Sequence, residues 1–157
     1  MKKFLFILSL SVCTIVFSQS NEETQFQSIV ENLFQQVFSD LETEKIQHYL
    51  TDDFLLFEDG EIWNTDSIRI YTERLKKQFN NEENKINTFK RTNSFKFIKS
   101  ESDAQSGTIY YENFADFTMN GTSIAKMHWL ESAVFRKTKD GWKISFLHSS
   151  PVKEDKN

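Results

Sequence analysis

Glu131-Ser-Ala-Val-Phe-Arg-Lys-Thr-Lys-Asp-Gly-Trp-Lys-Ile-Ser-Phe-Leu-His-Ser-Ser150 reads as two strands around a tight turn. Aromatic and branched residues fill both arms, and Asp140-Gly141 is a dipeptide that favours a hairpin turn. As a two-residue turn it sets Phe135 against Phe146 and Ala133 against His148. Side chains alternate along a strand, so one face carries Glu131, Phe135, Trp142, Ile144, Phe146 and His148. The other carries Ser132, Arg136, Lys143 and Ser145, with Val134 and Leu147 among them. The first face makes the better core, yet it holds a carboxylate and an imidazole among aromatic groups.

Working backwards, Ser106 to Met119 and Ser123 to Lys137 are strands of the same kind, separated by Asn120-Gly121, and Phe89 to Ile98 is another. A two-residue turn at Asn120-Gly121 adds Tyr110, Glu112, Phe114, Met127 and Trp129 to the core face, with Lys126, His128 and Leu130 opposite. Within Ser106–Met119, however, Ile109, Tyr111, Ala115, Phe117 and Met119 form the more apolar set. A bulge or a three-residue loop near Asn120 would exchange the two sets.

The first half of the chain has helical spacing instead. Phe26, Ile29, Val30, Leu33, Phe34, Val37, Phe38 and Leu41 make one apolar stripe, which predicts an amphipathic helix over 23–41. Glu44 to Leu50 suits a short second helix. Phe54 to Phe57 is a short strand turned by Glu58-Asp59-Gly60 and followed by Ile62-Trp63. Asn64-Thr65-Asp66 caps a third helix with Ile68, Tyr71 and Leu75 inward. Helices first and an antiparallel sheet afterwards define an α+β domain with the helices on one sheet face.

The chain's ends stand apart from this pattern. Lys2-Lys3, the apolar run Phe4–Phe17 and the small-residue site Ser18-Gln19 read as a cleaved signal peptide over 1–18. Fourteen residues are too few to span a bilayer as a helix. The mature part, 19–157, is then one domain with a core of about 22–151, exported to a periplasm or secreted. Pro151 and the charged Lys153-Glu154-Asp155-Lys156 end it. The single Cys13 falls in the signal, which excludes disulfides, thiolate nucleophiles and Cys-bound zinc from the mature protein. Without Lys2 and Lys3, 17 of the 19 basic side chains face 23 acidic ones, a net charge of −6. That balance opposes nucleic acid and anionic membranes as partners. Thirteen of sixteen Phe lie outside the signal, too many aromatics for a disordered chain.

The Glu131–Ser150 stretch resembles the final hairpin of the nuclear transport factor 2-like superfamily. The resemblance is to small SnoaL-like domains in particular, and to the association domain of calcium/calmodulin-dependent protein kinase. A Glu opens the strand, Asp-Gly and Trp mark the turn, and His followed by Ser ends the last strand. Phe54-Leu-Leu-Phe-Glu-Asp-Gly60, a Trp and then a helix also fit. The resemblance implies a cone, with three N-terminal helices packed on a strongly curved sheet that encloses a pocket. It implies binding modules, isomerases, cyclases or dehydratases, so fold alone does not choose among functions. Ala133 stands where the kinase domain has an arginine, and an anion site built on that arginine is not expected here.

On these readings the ligand-binding candidates are Trp63, Tyr110, Glu112, Trp129, Glu131 and His148. Either Glu131 or His148 would be the acid/base if the protein is an enzyme. His148 is either a pocket imidazole or a core histidine satisfied by its neighbours. Glu131 is either a base whose pKa apolar surroundings raise or a structural carboxylate bonded to a nearby Tyr or backbone amide. Asp52-Asp53 suits a solvated helix end better than a cation site. No His-x-His or His-x-x-x-His spacing offers a metal site, and no glycine loop cradles a phosphate, so neither metal nor cofactor is expected. Binding of a small apolar or mixed-polarity molecule ranks ahead of catalysis. The third reading is a non-catalytic assembly module, a homodimer formed through the convex sheet face with Leu130, Val134 and Leu147.

Overall fold

The structure, a computed structural model, describes residues 10–79 and 88–153, with side chains from Asn21 onward. Met1–Ser9 of the expected signal, Lys85–Asn87 before the expected strands and Glu154–Lys156 of the tail lie outside the described residues. Helix α1 (Leu10–Leu33) includes the remainder of that signal segment. No helix among the described residues is long and apolar enough to cross a membrane.

The apolar stripe buries Phe26, Val30, Leu33, Phe34, Val37 and Phe38. From Phe34 to Ser39 the helix widens into π geometry, and Asp40 N–H donates to the Gln35 carbonyl at 2.8 Å. A wider turn brings the adjacent pairs Leu33-Phe34 and Val37-Phe38 onto a narrower inward-facing arc than an α-helix would. Leu41, at φ 60°, ends the run. After a 3₁₀ turn at Thr43–Lys45 comes α2 (Ile46–Tyr49), and the Tyr49 hydroxyl donates to Gln36 Oε1 at 2.7 Å.

Strands β1 (Leu50–Glu58) and β2 (Glu61–Trp63) form a hairpin at Asp59-Gly60, both at positive φ as a type I′ turn requires. Helix α3 (Thr65–Phe79) begins at the expected cap, where Ser67 N–H donates to Asn64 Oδ1 at 2.9 Å. Strands β3 (Phe89–Ser102), β4 (Ser106–Met119), β5 (Thr122–Thr138) and β6 (Gly141–Pro151) complete a six-stranded sheet ordered β2-β1-β6-β5-β4-β3. The domain is α+β with a curved, unclosed sheet. The sheet is mixed, because β1 lies parallel to β6 while the other pairs are antiparallel.

One extra residue in each of β3, β5 and β6 decides which side chains face inward. Asn120-Gly121 is the expected two-residue turn, but Phe117 pairs with Ala125 and Thr118 with Ser123, so Ile124 is bulged. The bulge exchanges the two sets of β4, as the apolar parity of that strand suggested. Ile109, Tyr111, Asn113 and Ala115 are buried; Tyr110 and Phe114 are exposed on the outer face, and Glu112 shares it. At the last hairpin the turn is Lys139-Asp140, with Gly141 at φ 107° following it. Phe135 therefore pairs with Ile144, not Phe146. A bulge at Ser145 then sets Ala133 against Leu147 and Ser132 against His148. Trp142 and Ile144 face inward as expected, whereas beyond the bulge Leu147 and Ser149 are buried and His148 is exposed. The third extra residue is Ile98, in β3. One inserted residue inverts every side chain beyond it, which is why these corrections come in blocks.

Outside, Glu112 receives Lys96 at 2.6 Å and His128 at 2.9 Å, and Asp53 takes both bonds from Arg136 at 3.0 and 2.8 Å. Asp53 is thus an ion-pair partner of the sheet. Leu130 is 52% exposed on this face, and Val134 is half-buried there. Leu147, expected beside them, is in the core at 3% exposure.

Candidate functional site

A cavity of about 350 Å³ lies between the π segment, the β1–β2 hairpin, α3 and the inner sheet face. Aromatic rings dominate its wall. The widened helix supplies Phe34 and Phe38, α3 supplies Tyr71, β4 supplies Phe117 and β5 supplies Trp129. Trp63 ends β2; it packs on Tyr71 at 5.5 Å and donates its indole N–H to Glu61 Oε2 at 3.1 Å. Glu58, Asp59 and Glu61 also line the cavity from the hairpin, and Arg91 and Glu131 from the sheet.

Glu131 is 7% exposed. Ser149 Oγ donates to its Oε1 at 3.0 Å, and Asn113 Nδ2 donates to its Oε2 at 3.2 Å. Burial drives its pKa up to about 7, against the opposing pull of the Tyr111 hydroxyl, these two hydrogen bonds and the Arg91 charge. The Tyr111 hydroxyl is itself buried beside Glu131 without a well-formed hydrogen bond. Burial first, and then the Glu131 charge, hold that phenol well above its ordinary range.

The polar contacts continue across four strands. Arg91 Nε donates to Asn93 Oδ1 at 2.9 Å, Asn93 Nδ2 donates to Asn113 Oδ1 at 2.7 Å, and Asn113 donates on to Glu131. Both amides point the same way, so each link polarises the next. One end is a cation and the other a carboxyl closed off by Ser149. Burial lowers the Arg91 pKa from its ordinary value, while Tyr71, Glu131 and Glu58 act to raise it. Burial raises Glu58, and neighbouring Asp59 and Glu61 add to this against Arg91.

The structure therefore brings three of the six sequence candidates to the cavity: Trp63, Trp129 and Glu131. Tyr110, Glu112 and His148 lie on the opposite face for the reasons of register given above. His148 borders a shallow outer groove with Phe57, Ile62 and Pro151. Of the two acid/base candidates, only Glu131 lines the cavity. Sequence reasoning missed Arg91, Asn93, Asn113 and Ser149. Arg91 was within reach, because strand alternation sets it in line with Phe89, Phe95 and Phe97. Among the described residues, no group of three or more His, Cys, Asp or Glu side chains is arranged to hold a metal ion.

The sequence pattern of the SnoaL-like domain family matches residues 28–154. Among solved structures, a nuclear transport factor 2-like superfamily protein from Salmonella enterica superposes with a TM-score of 0.67 at 14% identity, covering 87% of this chain and 95% of its own. A nuclear transport factor 2-like protein from Cytophaga hutchinsonii gives 0.63 at 11% identity, covering 83% and 98%. The association domain of C. elegans calcium/calmodulin-dependent protein kinase II gives 0.62 at 14% identity, covering 85% and 98%. At such identities these likenesses concern the fold. No curated protein matches the sequence.

Proposed function

The chain belongs to the SnoaL-like domain family, and from that premise we propose that its cavity binds a small, largely apolar molecule with a few polar groups. The observation that carries this reading is Glu131. A carboxyl buried to 7% exposure, with its pKa raised to about 7, is costly in a domain that could have placed a leucine there. Its position on the wall of an aromatic cavity gives that cost a use. Two hydrogen bonds hold the group in place, and a ligand hydroxyl or carbonyl can meet it from the open side. Native mass spectrometry of the protein incubated with a pool of small aromatic and alicyclic metabolites tests the reading. One or a few bound species below roughly 350 Da are expected for a cavity of this size. Protein that stays unliganded throughout would count against it.

A second reading has one observation in its favour. A carboxyl with a pKa of about 7 is matched to proton transfer near neutrality, a contribution of about 10²–10⁴-fold in enzymes that use one. In an isomerase, cyclase or dehydratase built on this cavity, Glu131 alone would be the acid/base. Chemical change of the bound species, abolished by Glu131→Gln with binding retained, would distinguish this from binding alone.

Two broader proposals accompany the cavity. The convex face, with Leu130 and Val134, suits pairing of two copies, and the dimer should persist in sedimentation at about 100 μM, where monomer alone would contradict it. The Lys2-Lys3 and Phe4–Phe17 pattern supports export. N-terminal sequencing of the exported protein should then begin near Gln19, and recovery with Met1 retained would overturn this.

A further inference from the structure

We propose that the ligand carries a single carboxylate and that Arg91 receives it, so that the cavity takes a small aromatic or alicyclic monocarboxylic acid. This rests on the reading of the cavity as a binding site and adds the ligand's chemical class. Arg91 lines the cavity with its guanidinium carbon 5.4 Å from the ring centroids of Phe34 and Phe38, 5.5 Å from Phe117 and 5.8 Å from Trp129. Rings satisfy the faces of a guanidinium, through its attraction to their π clouds. They do nothing for the N–H groups, which point outward in its plane.

One of those N–H groups is used, by Nε on Asn93. Among the described residues, neither terminal nitrogen has a protein acceptor, and no carboxylate oxygen lies within 4.0 Å of the side chain. Glu131 does not take that role, since its hydrogen bonds run to Asn113 and Ser149 and its burial favours the protonated form. Arg91 is half-buried, so its unused fork stays open to an incoming anion, and a carboxylate matches that fork with two parallel hydrogen bonds. Asn93 fixes the plane of the fork from behind. Charge on the rim then narrows the class. Glu58, Asp59 and Glu61 surround the same space, so a phosphate ester with nearly two charges would meet more repulsion than one arginine offsets.

The test uses the full chain and two probes sharing one bicyclic body, 2-naphthoate and its neutral analogue 2-naphthamide, titrated by calorimetry at neutral pH. The acid should bind the unaltered protein about tenfold or more tightly than the amide, the range expected for a charge-assisted pair of hydrogen bonds. Arg91→Gln should bring the two affinities together by weakening the acid and sparing the amide, and Arg91→Lys should leave an intermediate preference. Equal binding of both probes to the unaltered protein, or a preference that survives Arg91→Gln, would overturn the proposal and leave the cavity reading intact. Should Arg91→Gln fail to fold, the unaltered protein and Arg91→Lys still decide the matter. If neither probe binds, the cavity reading fails and this inference fails with it.

Discussion

Phe26→Ala is expected to cost about 3–5 kcal/mol of folding stability, enough to remove much of the roughly 5–15 kcal/mol that holds a domain of this size together. The ring is fully buried where α1 crosses the sheet. It stacks on Phe135 with centroids 4.2 Å apart and planes 12° from parallel, and meets Trp142 edge-on at 5.2 Å. Gly107 lies beneath it, and a methyl group there would stand 2.4 Å from two of the ring atoms. The backbone of β4 has thus given up a side chain to admit this ring. Truncation to alanine removes the dispersion contacts and leaves a void that rigid β-strands cannot close. Urea denaturation of the two proteins measures the difference. A loss below about 1 kcal/mol would mean that α1 does not close the sheet as described.

Glu131→Gln is expected to stabilise the protein at alkaline pH by about 3 kcal/mol while leaving it nearly unchanged at about pH 4. The sign follows from the direction of the shift. Glu131 is raised from its ordinary 4.5 to about 7, so between those values the folded protein keeps a proton that the unfolded chain has released. Stability from this group is therefore complete below about 4.5, falls as pH rises through the window and levels off above about 7. Arg91 from β3 and Tyr111 from β4 face the same carboxyl, and Arg91 limits the loss by favouring the charged form. Glu58, on β1, is raised as well and has the same sign, but it titrates in both proteins and cancels in the comparison. Glutamine can give its oxygen to Asn113 Nδ2 and its amide N–H to the Ser149 hydroxyl, and it never ionises. Parallel pH–stability curves for the two proteins would contradict a buried, proton-holding Glu131. A protein more stable without its cavity carboxyl is also what a group retained for ligand chemistry would produce.

The parts of the fold legible in the sequence are those set by local rules. Asn64 caps α3, Asp59-Gly60 and Asn120-Gly121 make their turns, and the stripe from Phe26 to Phe38 makes its helix, each through residues close in sequence. The bulges are another matter. Ile98, Ile124 and Ser145 are extra residues demanded by a sheet that must bend around α1, and no residue type marks such a position. Ile124 is 58% exposed despite being apolar, which hydrophobic patterning reads the wrong way. A single slip at Ser145 carries His148 from the expected cavity to the outer face. Glu131 escaped this error because β5 keeps its inward parity from Trp129 through Phe135, past the partner's bulge. Arg91 was legible by alternation, but a lone cation in a strand ordinarily signals a solvent face; only the ring cluster from three other elements reveals its setting.

Glu131 is a buried carboxyl at the cavity wall, and its own titration is the most direct test of that setting. Side-chain carboxyl ¹³C shifts of the labelled protein, followed from pH 4 to 9 with Glu131 assigned by its absence in Glu131→Gln, give the midpoint without reference to stability or binding. A midpoint near 7 is the result predicted here. A midpoint near the ordinary 4.5 would show a hydrated carboxylate, and the cavity built around it would have to be given up.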